Sequence, residues 1–258
     1  MKRLTGIGVL VTRPDHQAGH LCQLIEAEGG AAVRYPALVI QPRPDRAAVR
    51  AAVGPTDRYD LVVFVSANAV RFGADLLDRR RDAPVAAIGQ ATAAALNAAG
   101  HRVSLMPAEG ADSESLLALP QLAHMDGQRV LIVRGVGGRD LLQEAMTSRG
   151  AEVHYAQVYT REPARPSAGL QAEIEQLWRQ GGISAYTATS VELLEALVGI
   201  VTPRCRGLMD STALVTGSER VAAAASRLGL GSPVLLADSP EDAALIHALV
   251  RWRGQAPP

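Results

Sequence analysis

Four turns in this chain place small hydroxyl and amide side chains just ahead of segments with helical periodicity. They are Ser66 with Asn68, Gln90 with Thr92, Thr187 with Ser190, and Ser218. Such residues cap helices, and the N–H groups at helix N-termini favour anions. Capping alone accounts for any one turn; their recurrence points to an anionic ligand held by many donors. Arg13 and Arg134 each end an apolar run, and Arg139 follows Gly135-Val136-Gly137-Gly138, where a helix is expected to begin. Guanidinium forks suit carboxylates and phosphates, although a surface ion pair is an equally good use for each arginine. Tyr159 lies in the extended stretch VHYAQVYTREP, where its phenol is either a donor toward a ligand or a packing group.

Other chemistries fit less well. GVGGRD has Asp140 where G-x-G-x-x-G requires its third glycine, and no P-loop lysine and hydroxyl follow, so NAD binding is not expected. His16 and His20 share a helix face, but Gln17 stands in place of the glutamate of H-E-x-x-H and no third ligand is evident, so no metal is expected. Neither a Ser-His-Asp arrangement nor a G-x-S-x-G elbow can be read. The 26 Lys+Arg balance 26 Asp+Glu, which gives no basic field for nucleic acid. Two cysteines, Cys22 and Cys205, do not make a disulfide framework and suit a reducing compartment. No apolar run approaches the roughly 20 residues of a spanning helix, and MKRLTGIGVLVTR reads as a first strand, so a soluble cytoplasmic protein is expected.

The elements that must position these residues are duplicated. Gly8–Arg43 and Gln128–Pro163 each contain an apolar run ending in arginine, a polar turn, an amphipathic segment, glycine and a second apolar run, which is a β-α-β unit. Leu21 matches Leu141, Gly30 matches Gly150, Val33 matches Val153 and Tyr35 matches Tyr155, with a one-residue slip just before Leu21. Further strand-turn-helix segments pair Phe64–Phe72 with Tyr186–Leu194 and Ala87–Val103 with Leu214–Gly229. The order of these blocks differs between the halves.

One lobe is therefore expected to be discontinuous, from residues 1–36 and 162–258. The other spans 44–153, and extended connectors at 37–43 and 154–161 lie side by side and leave a cleft. The fold class is α/β, with two similar doubly wound parallel-sheet lobes joined by that two-stranded connector. In detail, Asp15 is expected to cap the first helix, Ser66–Asn68 to cap a helix Ala69–Asp78, and Ser113 to cap another. Val103–Met106 is expected to be a strand, and Arg139 to start a helix.

The order and spacing of VLVTRP, FVSANAV, AIGQATA, LIVRGVGGRD, VYTRE and VTGSER resemble the uroporphyrinogen-III synthase family over essentially the whole chain. The resemblance implies conversion of linear hydroxymethylbilane, a polycarboxylate, into uroporphyrinogen III with loss of water and inversion of ring D. It implies no cofactor, a monomer, and at most transient contact with hydroxymethylbilane synthase. Tyr159 stands at the family's tyrosine thought to assist hydroxyl departure. Ser66, Thr92 and Thr187 fall at its ligand-facing turns, and Ser218 takes the place of a threonine in some relatives. A non-catalytic binding module and a two-domain glycosyltransferase are the rival readings of the same elements.

Overall fold

The structure, a computed structural model, describes residues 2–77 and 84–255. The chain opens with strand β1 (Gly8–Val11), helix α1 (Asp15–Ala27), β2 (Ala31–Arg34) and β3 (Leu38–Pro42). It continues with α2 (Arg46–Val53), β4 (Leu61–Phe64), α3 (Ala67–Gly73), β5 (Val85–Ala87), α4 (Gln90–Ala98) and α5 (Ser113–Leu117). Next come β6 (Arg129–Gly135), α6 (Leu141–Ser148), β7 (Glu152–Pro163), α7 (Ala168–Arg179) and β8 (Ala185–Thr187). The chain closes with α8 (Val191–Ile200), α9 (Pro203–Met209), β9 (Ala213–Thr216), α10 (Glu219–Arg227), β10 (Val234–Leu236) and α11 (Asp242–Gln255). No described helix is long and apolar enough to cross a membrane.

Two compact units result, one of residues 1–39 and 162–258, the other of 40–161. The first holds the sheet β2-β1-β8-β9-β10, the second β3-β7-β6-β4-β5, and the recorded ladders are parallel. Each sheet is covered on both faces. In the first unit Leu10, Tyr186 and Leu214 face α7–α10, while Val9, Val11 and Val215 face α1 and α11. In the second, Val62, Phe64 and Leu131 face α3 and α4, while Val63, Val130 and Ile132 face α5 and α6. Strands buried on both sides read as continuous apolar runs, which is why LVVF and VLIV show no alternation.

The duplication is real, but its register differs from the expected one. Val9 and Val130, Leu21 and Leu142, Ile25 and Met146 occupy the same places against the α1 and α6 faces. Gly29 and Gly150 end the two helices at φ +83° and +93°, and Ala32 and Val153 lie opposite Val9 and Val130. One constant separation joins all these pairs, so there is no slip. A one-residue slip would turn every core side chain of a strand to the wrong face. Tyr35 consequently corresponds to Ala156, and Tyr155 to Arg34. The other paired segments shift by two: the ladders set Val62 with Tyr186, making Ser66 and Ser190 equivalent. Both serines are N-caps, of α3 and α8.

Residues 154–161 are extended and part of β7, with β6 supplying partners as far as Tyr159. Other details differ from expectation. Val103–Met106 makes only a single bridge, Leu105 to Ala86, with Pro107 cutting the segment short. Asp15 makes no cap bond and is the first residue of α1, since Pro14 already sets the entry. Asp112, not Ser113, caps α5, its carboxylate accepting from the Ser115 N–H at 2.8 Å. The helix beginning with Ala67 gives way to a 3-10 turn at Ala74–Leu76, and its expected end at Asp78 lies outside the described residues. β3, with Pro42 as its last residue, is an edge strand, where a proline is tolerated.

Candidate active site

In the second unit, a pocket of about 210 Å³ opens where β4 and β6 end. Ser66, Arg134, Gly135, Arg139 and Tyr159 line it together, with Ser113, Gly137, Gly138, Tyr155 and Arg161. Five of the expected site residues thus meet. They meet because β4 delivers Ser66 at its C-terminal end, β6 delivers Arg134 and Gly135, and the neighbouring β7 delivers Tyr159.

Tyr159 is only 3 % exposed. Its ring lies 5.9 Å from that of Phe72, and the Arg161 guanidinium sits 5.7 Å from its centroid. The ladder has an irregularity here: Arg134 pairs with Gln157 but Gly135 pairs with Tyr159. The ring then covers Gly135, and a Cβ there would come within 2.6 Å of ring atoms, so only glycine fits. The phenol oxygen is 3.2 Å from Ser66 Oγ, which also accepts the Ala69 N–H at 3.0 Å. A serine hydroxyl that accepts from Ala69 is free to donate its one proton to the phenol oxygen. Either oxygen can be the donor of this bond, and it fixes the phenol oxygen beside Ser66 at the pocket wall.

Arg134 is 6 % exposed, and its guanidinium is occupied. It donates to Asp140 Oδ1 at 2.8 Å and to the Gly137 carbonyl, and lies 4.6 Å from the Tyr155 ring centroid. The Tyr155 hydroxyl donates to the same Asp140 oxygen at 3.0 Å. These two bonds, Arg134 first, hold the Asp140 carboxyl below the usual carboxylate range. Burial, with the bond to Asp140, raises the Tyr155 phenol. Arg139 does not begin a helix; it precedes α6 and pairs with Glu114 through both guanidinium nitrogens.

The other expected residues lie elsewhere. Asn68 is half-buried within α3, Gln90 is the exposed first residue of α4, and Thr92 is buried on that helix. In the first unit Arg13 reaches Asp242 and the Pro240 carbonyl, and His20 joins Asp242 at 2.7 Å. Thr187 is fully buried, its carbonyl accepting from the Thr12 hydroxyl. Ser190 accepts the Leu193 N–H at 3.1 Å, and Ser218 precedes α10 without a side-chain cap bond. Reading the sequence for hydroxyl turns missed Asp140 and Tyr155. Their signal was present in the spacing of a tyrosine on the second strand and an acid at the end of a glycine loop.

The architecture defines an α/β protein of two similar parallel sheets, with a donor-lined pocket at the carboxyl end of one of them. The family model described as uroporphyrinogen-III synthase HemD matches residues 20–247, and the chain belongs to that family. It is 34% identical to the uroporphyrinogen-III synthase of Salmonella typhimurium over 94% of this chain and 100% of the relative. The uroporphyrinogen-III synthase of Escherichia coli is 33% identical, again over 94% and 100%. In fold, the uroporphyrinogen-III synthetase of Helicobacter pylori superposes with a TM-score of 0.64 at 13% identity, covering 95% of this chain and 99% of that one. A mutant enzyme from Thermus thermophilus gives 0.60 at 18%, covering 97% and 100%. The protein is a lyase of tetrapyrrole biosynthesis that cyclises hydroxymethylbilane to uroporphyrinogen III.

Proposed function

We propose that Tyr159, oriented by Ser66, assists departure of the bilane hydroxyl from within the second unit's pocket. The observation that carries this reading is the buried Tyr159 phenol that lines the pocket, held 3.2 Å from Ser66 Oγ, which is itself fixed by the Ala69 N–H. Loss of hydroxide leaves an electron-poor methylene pyrrole, an azafulvene. The substituted carbon of ring D attacks it to give a spiro intermediate, and bond migration then inverts the ring. Atoms balance with water as the one co-product, and no oxidant or group carrier enters.

The linear bilane also closes unaided, to the unrotated isomer. The protein's task is therefore chiefly to hold one folded conformation, and the phenol adds stabilisation only as the C–O bond breaks. Binding of the substrate's carboxylates falls to the pocket's Arg139 and Arg161 and its backbone N–H groups, while Asn68, Gln90 and Thr92, on α3 and α4, are outside its lining and are further candidate donors. Arg13, Thr187, Ser190 and Ser218, at strand ends and helix starts of the first unit, are the donors that unit would offer the substrate. The enzyme is proposed to act as a monomer in the cytoplasm and to receive its substrate from hydroxymethylbilane synthase by transient contact. The two unpaired, buried cysteines support a reducing compartment.

Hydroxymethylbilane generated in situ, followed by oxidation and chromatography of the porphyrins, tests the activity. The type III isomer should dominate without added cofactor. Type I alone, as in a protein-free control, would defeat the reading.

A further inference from the structure

Residues Asp15–Gly19 of the first unit are the opening turns of α1, yet their equivalents, Val136–Asp140, are not helical. The same β-α-β unit therefore carries a helix start in one copy and a glycine loop in the other. Gly137 and Gly138 sit at φ +74° and +92°, which an L side chain rarely adopts. A Cβ on Gly138 would also come within 2.9 Å of Arg134 Nη2. The arginines that precede the two stretches diverge in the same way. Arg13 reaches across to Asp242 in α11, whereas Arg134 turns back onto its own loop.

We propose that Arg134, Asp140 and Tyr155 form a clamp that holds Gly135–Asp140 open as a carboxylate-binding loop for the bilane. The argument begins with the cost of Arg134. An arginine only 6 % exposed loses most of the hydration of its guanidinium, and that is offset only if its donors are well met. They are met by Asp140 Oδ1, the Gly137 carbonyl and the face of Tyr155, all of which fix the loop's path. Tyr155 ties the far end by donating to the same carboxylate oxygen. The N–H groups of Gly137 and Gly138 belong to the pocket's lining residues, and no recorded hydrogen bond among the described residues uses them. Arg139 adds a cation at the loop's end, held at rest by Glu114, a carboxylate that a substrate carboxylate can replace. Arg134 is thus a positioning residue, and its charge reaches the ligand through the loop it shapes.

The inference rests on the pocket being the bilane site, and its test is separable from that of Tyr159. A loop that binds a substrate carboxylate equally before and during reaction sets KM and leaves kcat alone. Asp140→Asn should raise KM for hydroxymethylbilane about tenfold, the loss of roughly one charge-assisted contact. Tyr155→Phe keeps the ring against Arg134 and should raise it about threefold. Asp140→Glu, which keeps the charge, should recover part of the affinity. Each kcat should stay within about twofold of wild type. If Asp140→Asn lowers Tm but leaves KM unchanged, the clamp supports only the fold and the proposal is overturned. A fall in kcat at constant KM overturns it too. A wild-type rate for Tyr159→Phe would remove the phenol's role while leaving the KM comparison intact.

Discussion

The two sheets run in one spatial order, β2-β1-β8-β9-β10 beside β7-β6-β4-β5 and the Leu105 bridge, although the chain visits those strands in different sequence. Their cores follow the same plan, down to a serine cap at Ser66 and Ser190 and a left-handed glycine at Gly29 and Gly150. They part company after the arginine. In the first unit Pro14 starts a helix at once, and Arg13 and His20 both engage Asp242. In the second, glycines unwind the corresponding turns and leave a pocket over Tyr159. A shared scaffold gains a pocket here by giving up part of a helix, not by adding an element.

The comparison is broken most sharply at Tyr159, which has no aromatic counterpart on β2. Tyr159→Phe should lower single-turnover rate on the order of 10²-fold while product affinity changes little. Ser66→Ala should cost less, since the phenol remains. An unchanged rate in Tyr159→Phe would make the residue a packing group like those of the first unit.

Making the second unit more like the first is the next test. The double substitution Gly137→Ala/Gly138→Ala favours helix by about 1 kcal/mol at each position and disfavours the left-handed loop. We expect kcat/KM to fall about tenfold, judged by losing one or two ligand contacts. Full efficiency would show that the unwound turn is dispensable.

A smaller contrast concerns two glycines in equivalent halves. Gly135→Ala drives a Cβ into the Tyr159 ring and should destabilise by roughly 1–3 kcal/mol in denaturant melts. Gly19 lies inside α1 with nothing near its missing Cβ, so Gly19→Ala should stabilise by up to about 1 kcal/mol. Equal effects of the two changes would contradict the packing described at Gly135.

The smallest effect is electrostatic. The Asp140 carboxyl is depressed by Arg134 and then Tyr155, so its folded value lies below its unfolded one. The clamp's contribution is complete above the unfolded carboxylate pKa, about 3.9, and fades as pH falls through the depressed value. Asp140→Asn and wild type should therefore differ in melting midpoint near neutrality and converge in strong acid. A difference that persists unchanged to the lowest pH would assign the effect to shape alone.

Much of this was legible in residue order. The apolar runs, a glycine closing each repeated helix and the arginine repeated at positions 13 and 134 all follow from local composition and periodicity, although the sequence matches Gly30 with Gly150 where the structure pairs Gly29. So does the family, because VLVTRP through VTGSER keep their order. Register was less legible. The pairing of Tyr186 with Phe64 was two residues out, and a two-residue shift preserves which side chains face the core, so hydropathy cannot detect it. Only the ladder through Leu10 and Leu131 sets Tyr186 with Val62.

The sequence by itself determined that there are two twin α/β halves, which donors and arginines are available, and that Tyr159 lies on an extended stretch. Tertiary structure alone decided which of those donors share a pocket. It buried Thr187 and Thr92, sent Arg13 to Asp242, and set Arg134 against Asp140 and the Gly137 carbonyl of its own loop. The physical reason is that a guanidinium or hydroxyl is chemically the same wherever it stands. Its role depends on which partners lie within about 3 Å, and that distance is set by strand register and helix starts far apart in the chain.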